Sequence, residues 1–220
     1  RQDIGMRTVD LAVYLVTDPG MGLERGLAET VRLALEAGVR MVQLRDKGAS
    51  TRKLLDDAST LLALCREHGA TFLVNDRVDV AMAAEAHGVH LGQDDMPADA
   101  ARRLLGEDAV IGVSVRTAGE ARRAAEDGAD YMAANLVYPT ATKTDLPDPL
   151  GPDGVRKLRS ACGLPLVAIG GIDAGNAAEV IGAGADGLAV VSAIMAAEDP
   201  AAASSRLLEA VRKALSRRDS

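Results

Sequence analysis

The chain has 220 residues and a formal net charge of −7. That length suits one domain around one core, and an apolar share of 48% excludes a disordered chain. The acidic balance argues against a nucleic-acid-binding surface, which is built from clustered Lys and Arg.

Along the chain one unit repeats: an apolar strand, a polar turn, an amphipathic helix and a glycine. The first strand is expected at Leu11–Asp18, followed by apolar residues at helical spacing over Leu27–Ala37. Strands are then expected at Met41–Lys47, Thr71–Asp76, Gly88–Gly92, Val110–Val115, Tyr131–Val137, Leu164–Gly171 and Gly187–Ile194. Helical spacing recurs at Leu54–Cys65 and Ala118–Glu126. Gly38, Gly69, Gly88, Gly128, Gly163 and Gly184 are placed to end helices, where left-handed dihedrals are common.

Aromatics make up only 2% of the chain, so the core must be packed from Ala, Val, Leu and Ile. Branched aliphatic runs are typical of buried parallel strands. Short-range alternation of helix and strand implies parallel strands with right-handed crossovers. Eight such units predict a single α/β domain over 1–220, a (β/α)8 TIM barrel. A doubly wound open sheet is the competing fold; it is weakened because no G-x-G-x-x-G follows the first strand. Pro139–Gly154, rich in Pro, Thr and Asp, reads as a mobile loop over a site.

Cys65 and Cys162 are too few and too widely spaced for a disulfide framework or a zinc site, which favours a reducing, cytoplasmic setting. No apolar run reaches the ~18–20 residues of a membrane span and no signal-peptide pattern opens the chain. An opening Arg1 suggests that further residues precede it. Self-association is as compatible with the helix faces as a monomer is.

The unusual polar residues cluster at or just after the C-terminal ends of the expected strands. They are Gln43, Arg45 and Lys47; Asn75 and Asp76; Gln93, Asp94 and Asp95; Ser114; Thr140, Thr142 and Lys143; Gly170 and Gly171; and Ser192 within the eighth strand. In a barrel these ends share one mouth, where catalytic residues gather.

Gln43-x-Arg45-x-Lys47 has the spacing that points three side chains to one side of a strand. A pair of cations there suits a polyanion such as diphosphate; the alternative is two rim residues paired with surface carboxylates. Asp76 and Asp95 could share one magnesium ion, with phosphate and water completing its oxygen shell. Asp76 could equally cap a helix opening at Arg77, and Asp94-Asp95 before Pro97 could be a plain helix entry. Gly170-Gly171 with Ser192 fits a phosphate monoester at the seventh and eighth strands, or simply a turn. His68 and His87 precede glycines near helix ends, where a dipole or capping role suffices. His90 faces the barrel or only packs in the fourth strand. No Ser–His–Asp set or Cys–His pair is evident.

At these residues the sequence resembles the thiamin phosphate synthase family over nearly its whole length. The matching segments are YLVTD (14–18), VQLRDK (42–47), LVNDRVDVA (73–81), GVHLGQDDMP (88–97), GVS (112–114), YPTATK (138–143), AIGGI (168–172) and GADGLAVVSAI (184–194). The resemblance implies a magnesium-dependent transferase that condenses a pyrimidine methyl diphosphate with a thiazole phosphate, plain or carboxylated. It implies pyrimidine-diphosphate contacts at Gln43, Arg45, Lys47, Asn75, Ser114 and Lys143, with Arg45, Lys47, Ser114 and Lys143 serving catalysis. It further implies magnesium ligands at Asp76 and Asp95, and thiazole-phosphate contacts at Thr140, Thr142, Gly171, Val191 and Ser192.

Two positions depart from the family pattern. Arg116 stands where His is common, two residues after the Ser of GVS. Ala133-Ala134-Asn135-Leu136 stands where G-x-G-P is common. The related thiazole tautomerase is one alternative, but Arg is too basic to shuttle protons near neutral pH. A non-catalytic regulatory paralogue is another; here every metal and diphosphate position keeps suitable chemistry.

Overall fold

The computed structural model describes residues 9–21, 23–139 and 148–218. Eight parallel strands close in sequence order: β1 (Val13–Val16), β2 (Met41–Leu44), β3 (Thr71–Asn75), β4 (Gly88–Leu91), β5 (Val110–Val115), β6 (Tyr131–Asn135), β7 (Leu166–Ile169) and β8 (Gly187–Val190). The seam joins β1 to β8 with Val13 opposite Leu188. This is the single (β/α)8 barrel expected from the repeat.

The described helices are α1 (Leu27–Glu36), α2 (Thr51–Glu67), α3 (Val78–Ala83), α4 (Ala98–Leu105), α5 (Ala118–Glu126), α6 (Gly151–Ala161), α7 (Ala177–Gly182), α8 (Ser192–Met195) and α9 (Pro200–Arg218). None of the described helices is long and apolar enough to cross a membrane.

Two apolar clusters follow from the two-residue period of the strands. Outward residues such as Val42, Leu44, Ile111, Val113, Leu188 and Val190 pack against the helices. Inward residues, among them Tyr14, Val16, Met41, Leu73, Val110, Tyr131, Val167 and Ala189, fill the barrel. The interior is therefore plugged by side chains, and only its upper end can hold a ligand.

Most expected strands are longer than those observed. Strand β2 ends at Leu44, so Arg45 and Lys47 lie in the turn that follows rather than along one strand. The eighth stops at Val190, and Ser192 opens the short helix α8 instead of lying in the strand. Its run of apolar residues, Val191 to Ile194, fits either state, because periodicity cannot separate a buried strand from a short buried helix. Gly88 does not end a helix but begins β4, where a Cβ would stand 1.8 Å from the Val110 carbonyl oxygen. Gly163 also lacks the left-handed conformation found at Gly38, Gly69, Gly128 and Gly184.

Candidate active site

Continuing upward by steps of two from the inner cluster, the next inward residues of β2 to β6 are polar, whereas those of β7 and β8, Ile169 and Val191, are apolar. Gln43 ends the inward row of β2, Asn75 that of β3, His90 that of β4, Ser114 that of β5 and Asn135 that of β6. All five line one pocket with Tyr14, Asp18, Arg45, Leu136, Gly170, Gly171, Val191 and Ser192. Alternation thus carries apolar side chains into the plug and polar ones into the mouth, with one register for both.

Beneath this pocket runs a buried polar chain that crosses the barrel. Gln43 Nε2 donates to the Tyr14 hydroxyl. The Tyr131 hydroxyl bonds that of Tyr14 at 3.0 Å. His90 continues the chain, with Nδ1 2.9 Å from the Tyr131 hydroxyl and Nε2 2.9 Å from Ser114 Oγ. A neutral imidazole has one donor and one acceptor nitrogen, and both hydroxyls can take either part. Burial pushes the Tyr14 and Tyr131 phenols well above their ordinary range, so both keep their protons at neutral pH. Gly112 makes room for this arrangement: a Cβ there would lie 2.0 Å from the Tyr131 ring.

The sequence pointed to Gln43 and Ser114, whereas neither Tyr14 nor Tyr131 was singled out by it. His90 is the histidine that matters here, facing the barrel and fixing Ser114. By contrast, His68 caps α2, its Nδ1 2.9 Å from the Leu64 carbonyl oxygen. His87 Nδ1 accepts from the Phe72 amide at 2.9 Å, a backbone role between strands rather than at a helix end.

The two aspartates meet at the rim. Asp76 follows β3 with φ 61°, a left-handed conformation uncommon for residues other than glycine. The cap of α3 is Arg77, so Asp76 is not serving as its N-cap. Burial, and then the facing Asp95 carboxylate, raise the Asp76 carboxyl above its ordinary range; Lys47, whose Nζ lies 3.4 Å from Asp76 Oδ2, opposes this. Asp95 Oδ2 also accepts from the Gly92 amide at 2.6 Å. Gln93 Nε2 donates to the Ser114 carbonyl at 2.7 Å, tying the β4 turn to β5, and Asp94 is exposed.

Two crowded carboxylates form an environment that a hard divalent cation relieves, so the donor chemistry fits magnesium. They do not make a complete shell. Among the described residues no group of three or more His, Cys, Asp or Glu could hold an ion. The remaining oxygens would have to come from phosphate or water.

Across the mouth, Gly170 and Gly171 both have positive φ, 104° and 61°. A Cβ on Gly171 would stand 2.5 Å from the Pro139 carbonyl oxygen, so backbone alone fits there. Val191 and Ser192 complete that wall. Of the expected residues, Gln43, Arg45, Asn75, Ser114, Gly171, Val191 and Ser192 line the pocket. Lys47 is exposed and meets the site through Asp76. Thr140, Thr142 and Lys143 lie outside the described residues.

A closed parallel barrel with a polar pocket at the C-terminal ends of its strands defines a barrel-enzyme architecture with its site in the usual place. Residues 13–194 match the thiamine monophosphate synthase family, and the chain belongs to that family. It is 48% identical over 199 residues to thiamine-phosphate synthase of Chloroflexus aurantiacus, covering 90% of this chain and 92% of that protein. It is 52% identical over 186 residues to the thiamine biosynthesis bifunctional protein ThiM/ThiE of Symbiobacterium thermophilum; the match takes in 84% of this chain but only 39% of that longer protein. Among solved structures, thiamine phosphate pyrophosphorylase from Pyrococcus furiosus superposes with a TM-score of 0.85 at 42% identity, covering 94% of this chain and 98% of that one.

Proposed function

We propose that the pocket joins a pyrimidine methyl diphosphate to a thiazole phosphate, giving thiamin phosphate and diphosphate. The single observation that carries this is the division of the mouth into two walls. Arg45 lines the pocket at the β2 end, with the Lys47–Asp76 pair and the facing Asp95 at the adjoining rim of β3 and β4, and a glycine-and-hydroxyl wall stands at the β7 and β8 ends. The first suits a diphosphate and its counter-ion, the second a phosphate monoester held by backbone N–H groups.

In this reading Gln43, Asn75 and Ser114 hold the pyrimidine, and His90 keeps the Ser114 hydroxyl in place. Arg45, Lys47 and Lys143 would supply the cations for the diphosphate. The bond between the methylene carbon and the diphosphate oxygen breaks, its electron pair leaving with diphosphate. The ring nitrogen of the thiazole then gives its lone pair to that carbon, forming the new C–N bond. No proton moves in this exchange, so no general base is required. Negative charge grows on the leaving group, where the guanidinium of Arg45 is suited to meet it. Asp76 and Asp95 would hold magnesium, which when bound supplies further positive charge to the diphosphate. Thr140, Thr142, Gly171, Val191 and Ser192 would orient the thiazole phosphate.

An isomerase reading would need a proton shuttle at position 116. There Arg116 instead donates to the carbonyl oxygens of Asn135 and Asp148. The test is incubation with both substrates and magnesium, following thiamin phosphate and diphosphate, beside an Asp76→Ala variant. Magnesium-dependent product that collapses in the variant supports both the reaction and the metal pair. Folded protein that binds both substrates yet makes no product would overturn the enzyme reading.

A further inference from the structure

Arg116 and Asn135, apart in sequence, form one unit. Arg116 directly follows β5, two residues beyond Ser114, and is half-buried. Its Nη1 donates to the Asn135 carbonyl at 2.7 Å and its Nη2 to the Asp148 carbonyl at 2.6 Å. Its own amide is fixed by Glu120 Oε2 at 2.6 Å, inside the capping box that starts α5. The guanidinium is thus aimed by a fixed base, and its fork reaches two segments, the end of β6 and the chain ahead of α6. A charged donor makes stronger hydrogen bonds than a neutral one, and a planar fork holds both carbonyls in a fixed geometry that a flexible ammonium does not.

One of the held segments is part of the pocket wall itself. Asn135 and Leu136 both line the pocket, and Leu136 lies against Gly170, where an added Cβ would be 2.1 Å from Leu136 Cδ1. The chain returning after Asp148 lies beside them: the Leu150 amide donates to the Leu136 carbonyl at 2.8 Å and the Gly151 amide to that of Val137 at 2.9 Å. Because β6 stands between β5 and β7, this wall separates the Ser114 side from the Gly171 side.

We infer that Arg116 is a positioning residue: by clamping the Asn135 and Asp148 carbonyls it sets the wall at which the two substrates are brought into register. This rests on the reading of the pocket as a two-substrate site. Binding of either substrate alone depends on other residues, so the effect falls on alignment. Misplacement on the ångström scale can cost about 100-fold in rate.

The experiment compares Arg116→Ala and Arg116→Lys with the unaltered chain in steady-state kinetics, thermal unfolding and amide hydrogen exchange. In Arg116→Ala, kcat should fall by about 10-fold or more while KM for each substrate stays within about 2-fold. Arg116→Lys, which keeps the charge but not the fork, should recover only part of kcat. Exchange at the Leu150 and Gly151 amides should quicken by about 10-fold, with β3 amides unchanged. Equal kcat in all three proteins overturns the inference. So does a uniform loss of protection across the barrel, which would make Arg116 a general stabiliser. If the unaltered chain fails to turn over, the two-substrate reading falls; unchanged exchange at Leu150 and Gly151 would then overturn the clamp as well.

Discussion

At the scale of single residues, the site depends on side chains of two kinds: those that line the pocket and those that hold them. Arg45 is of the first kind. Its backbone amide is fixed by Thr17 Oγ1 at 2.9 Å and its side chain lines the pocket. Arg45→Ala should lower kcat by about 100-fold in the coupled assay, the usual scale for losing one preorganised charge partner of a transition state. Tyr131 is of the second kind. Tyr131→Phe removes the hydroxyl between Tyr14 and His90 and leaves their polar atoms buried. It should cost about 1–3 kcal/mol in urea unfolding, with a smaller effect on turnover. That Gln43, Arg45, Asn75 and Ser114 would gather at one mouth was legible in the sequence, because charged and amide groups at strand ends have few purely structural uses. The second kind were hidden. Tyr14 and Tyr131 meet across 117 positions of sequence, and an aromatic in an apolar strand has the same pattern whether or not its hydroxyl is used.

At the scale of elements, alternation explains why the eight strands could be located, and why several of them were expected to run too far. Inward and outward rows continue into the turns at Arg45 and Val191, so alternation overran β2 and an apolar run overran β8. The opposite, N-terminal end of the barrel has a device of its own, used twice. Asp130 and Asp186 each follow a Gly-Ala pair and each directly precede an even-numbered strand, β6 or β8. Asp130 Oδ2 accepts from the Ile111 amide at 2.7 Å and from Arg102 of α4 at 2.8 Å. Asp186 Oδ2 accepts from the Leu166 amide at 2.9 Å and from Arg159 of α6 at 2.9 Å. Each carboxylate therefore fastens a helix to the start of a strand, far from the mouth. Asp186→Ala leaves Arg159 and the Leu166 amide without that partner. It should lower stability by about 1–3 kcal/mol in urea while kcat and KM stay unchanged, separating the two ends of the barrel in one experiment.

For the whole molecule, one closed barrel of scarce aromatics leaves few large polar side chains inside, and the phenols are among them. Burial raises Tyr14 and Tyr131, and burial with the Glu179 carboxylate pushes Tyr138 up to about 12. A phenol whose folded value is raised favours the folded state below the unfolded value of about 10, and that contribution is lost as pH rises through the folded value. Native protein should therefore show almost no tyrosinate absorbance at pH ~10. Tyrosinate should appear as the chain unfolds at higher pH, and an early titration would contradict the buried network. The sequence has three tyrosines and no tryptophan. Two of the three stand in or under the pocket floor, so a change in the chain's tyrosine absorbance or emission should report on the site itself. Substrate entering the mouth can then be followed by the intrinsic light of the protein, with no label attached and no bright indole elsewhere to mask it.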